Sequence, residues 1–244
     1  MTSAERPPAF RLAYVPGATP AKWVRIWGER EPRVSLELVA VSAAEAADAV
    51  REDRADAALL RLPGDRDGLH AIPLYTETTV VVAPKDHLIA AADEVSGVDL
   101  ADDVVLHPLD DPFDWPTPPG RPPGLPARER PATTGDAIEL VAAGVGLLVV
   151  PQSLARLHHR RDLTYRTLTD APQSCVALSW PEGETSALVE QFIGIVRGRT
   201  VNSTRGQQEA KAKGGTPART PAKPTREPSR RRGAPKPGRS RRHR

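Results

Sequence analysis

The run from Thr133 to Pro151, TTGDAIELVAAGVGLLVVP, is read as helix, tight turn, buried strand and stop. Thr134, or Thr133 with Asp136 three residues on, supplies an N-cap, because a side-chain oxygen there accepts an amide hydrogen that the first helical turn leaves unpaired. Gly144 closes the helix where a left-handed backbone costs least. Leu147 to Val150 is an unbroken apolar run, the pattern of a strand covered on both faces. Pro151 ends it, having no amide to give to a ladder. A unit of this kind sets the start of its helix at the rim of a sheet, where ligands of open α/β folds bind.

The rest of the first 200 residues repeats the theme. Phe10 to Val15 alternates as a first strand, and Thr19-Pro20 reads as an N-cap followed by proline at the first helical position. A second strand follows over 33–39, a Ser42–Glu45 capping box opens an alanine-rich helix to about Asp53, and 55–60 is a third strand. Such alternation predicts a parallel sheet with right-handed crossovers. Further strands are expected over 79–84, 104–106, 163–168 and 175–180, with helices over 152–160 and 188–196. Eight prolines between Pro112 and Pro131 rule out helix or central strand there, so the expectation is an extended surface loop or lid.

Charge divides the chain. Beyond residue 200 there are fourteen Lys and Arg against two acids, a net +12; with the whole chain at +3, the first 200 residues carry −9. That tail lacks apolar periodicity and has nothing to bury, so it is expected to be disordered, as are residues 1–9. The N-terminus has no apolar signal region and no run approaches ~20 apolar residues, so a cytoplasmic chain without a membrane span is expected. A single cysteine, Cys175, forms no internal disulfide.

Several phrases together resemble the effector-binding domain of LysR-type transcriptional regulators. They are Ala55 to Leu60, Ile72 to Tyr75, Val82 to Leu88, and above all Val141 to Pro151, where the family's aaGxGxxxxP pattern is matched at Gly144, Gly146 and Pro151. The resemblance covers about residues 10–200. It implies an α/β fold of the type II periplasmic-binding-protein kind: two α/β lobes joined by two crossing strands, with a small-molecule effector held between them. Carried over, lobe I comprises 10–84 and 170–200, and lobe II 85–169. It also implies a homodimer. The family's N-terminal winged helix-turn-helix has no counterpart in the nine residues before the first strand, so operator reading by a recognition helix is not expected of this chain.

In such a fold the cleft is expected to be lined by Gly17, Ala18 and Thr19 before the first helix, by Arg61 and Pro63 after the third strand, and by Thr133 and Thr134 at the lobe II helix. Two helix starts with hydroxyls and free amides facing one gap suit a carboxylate or other small anion. The same threonines serve equally well as helix caps and nothing more.

Asp110, Asp111 and Asp114 lack the spacing of a calcium site and read as a solvated loop. His107 has no visible partner, and His158-His159 reads as surface. No nucleophile elbow, phosphate loop or metalloprotease helix is present, so neither cofactor, metal nor catalysis is expected. In the tail, Arg230, Arg231, Arg232, Lys236, Arg239, Arg241, Arg242 and Arg244 are dense enough to neutralise phosphates of DNA or RNA without reading sequence. Two rival readings stand beside the sensor: a nucleic-acid-associated protein whose folded part only dimerises, and an enzyme on the same scaffold.

Overall fold

The computed structural model describes residues 9–198. The expectations for residues 1–8, and for the tail with its basic residues from Arg230 to Arg244, lie outside the described residues. Eleven strands and five helices alternate along this span: β1 (Ala9–Tyr14), α1 (Ala21–Arg30), β2 (Ser35–Ala40), α2 (Ala46–Arg51), β3 (Ala57–Leu62), β4 (Leu69–Thr76), β5 (Thr79–Pro84), β6 (Glu94–Val95), β7 (Val104–Leu106), β8 (Leu125–Pro126), α3 (Thr134–Ala142), β9 (Leu147–Pro151), α4 (Gln152–Leu157), β10 (Leu163–Leu168), β11 (Cys175–Pro181) and α5 (Ala187–Val196).

Two sheets result. Lobe I is ordered β2-β1-β3-β11-β4 and lobe II β6-β10-β5-β9-β7-β8. In lobe I, β1 runs parallel to β2 and β3, whereas β11 returns antiparallel to both β3 and β4. This is the two-lobed α/β architecture of the type II binding-protein kind. One assignment changes. Residues 79–84 belong to the second sheet, where β5 pairs with β9 and β10, so the first crossing falls at Glu77-Thr78 and not after Pro84. The cause is that a strand apolar from Val80 to Ala83 needs cover on both faces, which the middle of lobe II supplies.

Both faces of that sheet are indeed filled. Val80, Val82, Leu148 and Val150 pack with Ala137, Ile138 and Val141 of α3, while Val81, Ala83, Leu147 and Val149 pack on the opposite side with Phe113 and Trp115. The proline-rich segment is therefore no solvated loop throughout. Its two aromatic rings, 5.4 Å apart edge to face, cover that core together with Ile89 and Leu100. In lobe I a trio of rings ties three elements together: Phe10 of β1 lies 4.8 Å from Trp27 of α1 and 5.1 Å from Phe192 of α5.

Local signals are mostly kept. Thr133 and Asp136 form a reciprocal capping box at α3. Gly144 takes a left-handed φ of 73° just after that helix. Ser42 and Glu45 also exchange hydrogen bonds, although α2 begins only at Ala46 and ends at Arg51, sooner than the composition suggested. At α1, by contrast, Pro20 occupies the capping position and no side chain caps the helix, so Thr19 leaves the first amides free. The helix after β9 stops at Leu157, not at Arg160.

Candidate ligand site between the lobes

A cavity of about 530 Å³ lies where the carboxyl ends of β1 and β2 face α4. Lobe I contributes Tyr14, Pro16, Gly17, Ala18, Thr19, Ala40 and Val41; lobe II contributes Ser153, Arg156 and Leu157. The position follows from the topology, since adjacent loops at the carboxyl edge of an open α/β sheet leave a crevice. Ser153, Arg156 and Leu157 share one face of α4 because they stand three and four residues apart.

The lobe I wall is largely backbone. Gly17 has a φ of 80°, and a Cβ built on it falls 2.8 Å from Ser153 Oγ and 2.9 Å from Arg61 Nη2. Glycine is needed there twice over, for its backbone conformation and for the approach of lobe II. The uncapped start of α1 follows directly, so amide hydrogens and the positive end of the helix dipole lie beside the cavity.

The only formal charge on the lining is Arg156. It is exposed, touches the Tyr165 hydroxyl at 3.4 Å through Nε, and has no carboxylate partner among the described residues. The cavity thus offers apolar surface from Val41, Leu157 and Ala40, hydroxyls from Thr19 and Tyr14, and one cation.

Beneath it is a buried ion pair. Arg61 Nε donates to Glu77 Oε2 at 2.7 Å, and both side chains are only 4% exposed. Arg61 Nη2 donates to Ser153 Oγ at 3.0 Å, the Ser153 hydroxyl donates in turn to Glu77, and Ser174 Oγ donates to Glu77 at 3.0 Å. No buried side-chain nitrogen or oxygen among the described residues lacks a partner. That satisfaction is what makes burying two charges tolerable. Burial and the neighbouring Glu77 charge push the Tyr75 phenol above its usual range.

The expected residues therefore separate into three groups. Gly17, Ala18 and Thr19 line the cavity, and Arg61 lies under it, already engaged. Pro63 is exposed and is not part of this lining. Thr133 and Thr134 are elsewhere too: Thr133 caps α3 by accepting from the Asp136 amide at 3.1 Å, and buried Thr134 donates to Asp110 at 3.0 Å.

Asp111 departs from the solvated loop that the sequence suggested. Its side chain is 5% exposed, takes hydrogen bonds from Trp115 Nε1 at 2.7 Å and the Phe113 amide at 3.1 Å, and lies 3.1 Å from His107 Nε2. Burial raises its carboxyl to about 6, while burial and the nearby Arg130 and Arg121 lower His107. With those opposite shifts the His107 contact is a hydrogen bond more than a firm ion pair.

Sequence reasoning missed Arg156, Ser153 and Glu77. A lone arginine and a serine on a short helix look like solvated surface, and the Arg61–Glu77–Ser153 contacts join residues 16 and 92 positions apart. One signal was available: Glu77 lies just ahead of the apolar run Val80 to Ala83, where an acid is buried only with a partner.

A family model described as the LysR substrate binding domain matches residues 10–200. A probable hydrogen peroxide-inducible genes activator of Mycobacterium avium is 31% identical over 59% of the chain and 49% of its own length. The Hca operon transcriptional activator HcaR of Escherichia coli strain K12 is 24% identical over 72% of the chain and 61% of its own length. The chain thus spans about half to three-fifths of the length of these relatives. Among solved structures, the BenM effector-binding domain with its effector benzoate matches with a TM-score of 0.63 and 20% identity, covering 82% of this chain and 94% of that one. The oxidised form of OxyR matches with a TM-score of 0.64 and 19% identity, covering 78% and 95%. Both share the two-lobed fold. The matched model, which spans both lobes and the two crossings between them, makes this chain a member of the LysR substrate-binding domain family.

Proposed function

We propose that the chain is the sensing part of a transcriptional regulator, and that it takes a small anionic effector, a carboxylate first of all, in the interlobe cavity. Arg156 carries this reading: it is a cation without a carboxylate partner among the described residues, set across a cavity from the open amides of α1. The ion pair beneath is already neutral, so the ligand's charge belongs near Arg156 and its apolar body against Val41 and Leu157. Gly17, Ala18 and Thr19 then supply main-chain and hydroxyl contacts. Thr133, Thr134 and Pro63 fall outside this set, because the two threonines are engaged by Asp136 and Asp110. The ligand acts by its greater affinity for one interlobe arrangement. The protein is a sensor and not an enzyme, works in the cytoplasm and forms a homodimer.

The test is thermal melting of the full chain with benzoate and other carboxylates beside neutral analogues such as benzyl alcohol. A carboxylate present at 100 times its Kd is expected to stabilise by about 2.7 kcal/mol. Arg156→Ala should abolish most of that gain, while no stabilisation by any carboxylate overturns the proposal. Non-specific phosphate contact through Arg230, Arg231, Arg232, Lys236, Arg239, Arg241, Arg242 and Arg244 is a separate proposal, supported by the net +12 beyond residue 200. Gel shifts of the full chain and of a 1–200 truncation at two salt concentrations decide it, and equal binding by both removes the tail from the account.

A further inference from the structure

We infer that Ser153 is a positioning residue that ties the cavity to the hinge, holding one interlobe angle through its two hydrogen bonds to the Arg61–Glu77 pair. The proposal deepens the sensing role above and rests on the same cavity.

Four separate pieces of the chain meet in this network. Arg61 is the penultimate residue of β3 in lobe I. Glu77 is in the first crossing, between β4 and β5. Ser174 is in the second, just before β11. Ser153 belongs to α4 of lobe II. The two crossings are fastened side by side, the Glu77 amide donating to the Ser174 carbonyl at 2.9 Å and Thr79 Oγ1 to the Pro172 carbonyl at 2.6 Å. Helix α4 of lobe II joins this bundle twice, through the Gln152 amide on the Thr78 carbonyl at 2.9 Å and through the Ser153 hydroxyl.

Among the described residues Ser153 alone both lines the cavity and hydrogen-bonds to the ion pair. Its single hydroxyl is used in both directions, accepting from Arg61 and donating to Glu77. Rotation of lobe II away from lobe I withdraws that hydroxyl. Arg61 Nη2 and Glu77 Oε1 then keep only their long mutual contact of 3.4 Å, in a place where both side chains are 4% exposed. Poorly satisfied charged groups in such surroundings are costly, so the network favours one angle and resists others.

The cavity side of the same helix completes the link. Arg156 and Leu157 stand one turn on from Ser153, on its face, and a turn of helix moves as a unit. A molecule pressing on Arg156 and Leu157 therefore shifts Ser153 against Arg61 and Glu77. On the other side Gly17 leaves no room for a Cβ, which would fall 2.8 Å from Ser153 Oγ and 2.9 Å from Arg61 Nη2. Occupancy of the cavity and integrity of the ion-pair network are thus mechanically the same variable.

Hydrogen exchange read by mass spectrometry on the full chain tests this without any ligand, so its outcome is independent of whether a carboxylate binds. In Ser153→Ala, amides of the hinge peptides spanning 76–79 and 172–176 should exchange roughly tenfold faster, the factor expected for losing hydrogen bonds to charged groups. Core amides of β1, β3, β5 and β9 should keep their wild-type rates. Ser153→Cys, close in size and a weaker donor, should fall between the two, and it carries the test alone if the alanine variant fails to fold. Unchanged hinge exchange overturns the proposal. So does equal acceleration in the hinge and in both lobes, which marks a residue of general stability only.

Discussion

Glu77 in the hinge and Asp111 in the proline-rich segment are both buried carboxylates, with side chains 4% and 5% exposed, yet they are held in opposite ways. Glu77 faces a guanidinium and two serine hydroxyls. Asp111 faces a Trp115 N–H, a backbone amide and an imidazole, with Arg130 farther off. The first arrangement needs the charge, because Arg61 pairs with no other acid among the described residues. The second tolerates it poorly, and its carboxyl rises to about 6. Burial alone thus says little about a carboxylate's charge; the partner set decides.

The hardest blow to that contrast is Glu77→Ala. It strands Arg61 in a buried position and should cost about 4 kcal/mol, measured by urea unfolding at pH 7. A loss under 1 kcal/mol would mean that the pair is not needed for its charge. On the other side, Trp115→Ala should cost about 3 kcal/mol by the same measurement, through the void left on the outer face of the lobe II sheet.

The pH response sharpens the contrast further. Asp111 has a folded value raised from 3.8 to about 6, so between those values the native state holds a proton that the unfolded chain has lost. Stability from this group is greatest at low pH and falls by about 3 kcal/mol as pH climbs from ~4 to ~6. His107, lowered from 6.5, acts in the opposite direction just below its ordinary value, where the unfolded chain binds the extra proton. Asp111→Asn should remove the downward limb from the melting-temperature profile while keeping one acceptor oxygen, for Trp115 or for Phe113 but not for both. A profile that keeps this limb refutes the assignment. The smallest effect is expected for Thr133→Ala, about 1 kcal/mol in thermal melts, from loss of the cap on α3.

The features legible in the sequence were those set within one turn or one strand. β9 shows its double burial because every position is apolar, and α3 shows both ends through Thr133, Asp136 and Gly144. The lobe boundary was harder, since β5 looks the same in either sheet and only its partners β9 and β10 place it. Thr19-Pro20 misled because proline took the capping position itself. The site was half legible. The glycine loop at 17–19 is announced by a break after an alternating strand, but Arg61 gave no hint that Glu77 had already claimed it. Asp111 was hidden because the aromatics that bury it, Phe113 and Trp115, sit among prolines that read as solvent-facing.

Gly17 finally sets a limit on motion. With a Cβ there only 2.8 Å from Ser153 Oγ, the clearance between the lobes at this point is less than one methyl group. The loop acts as a doorstop whose thickness is that of bare main chain. A Cβ at this point would have to displace Ser153 or Arg61, whatever the cavity contained.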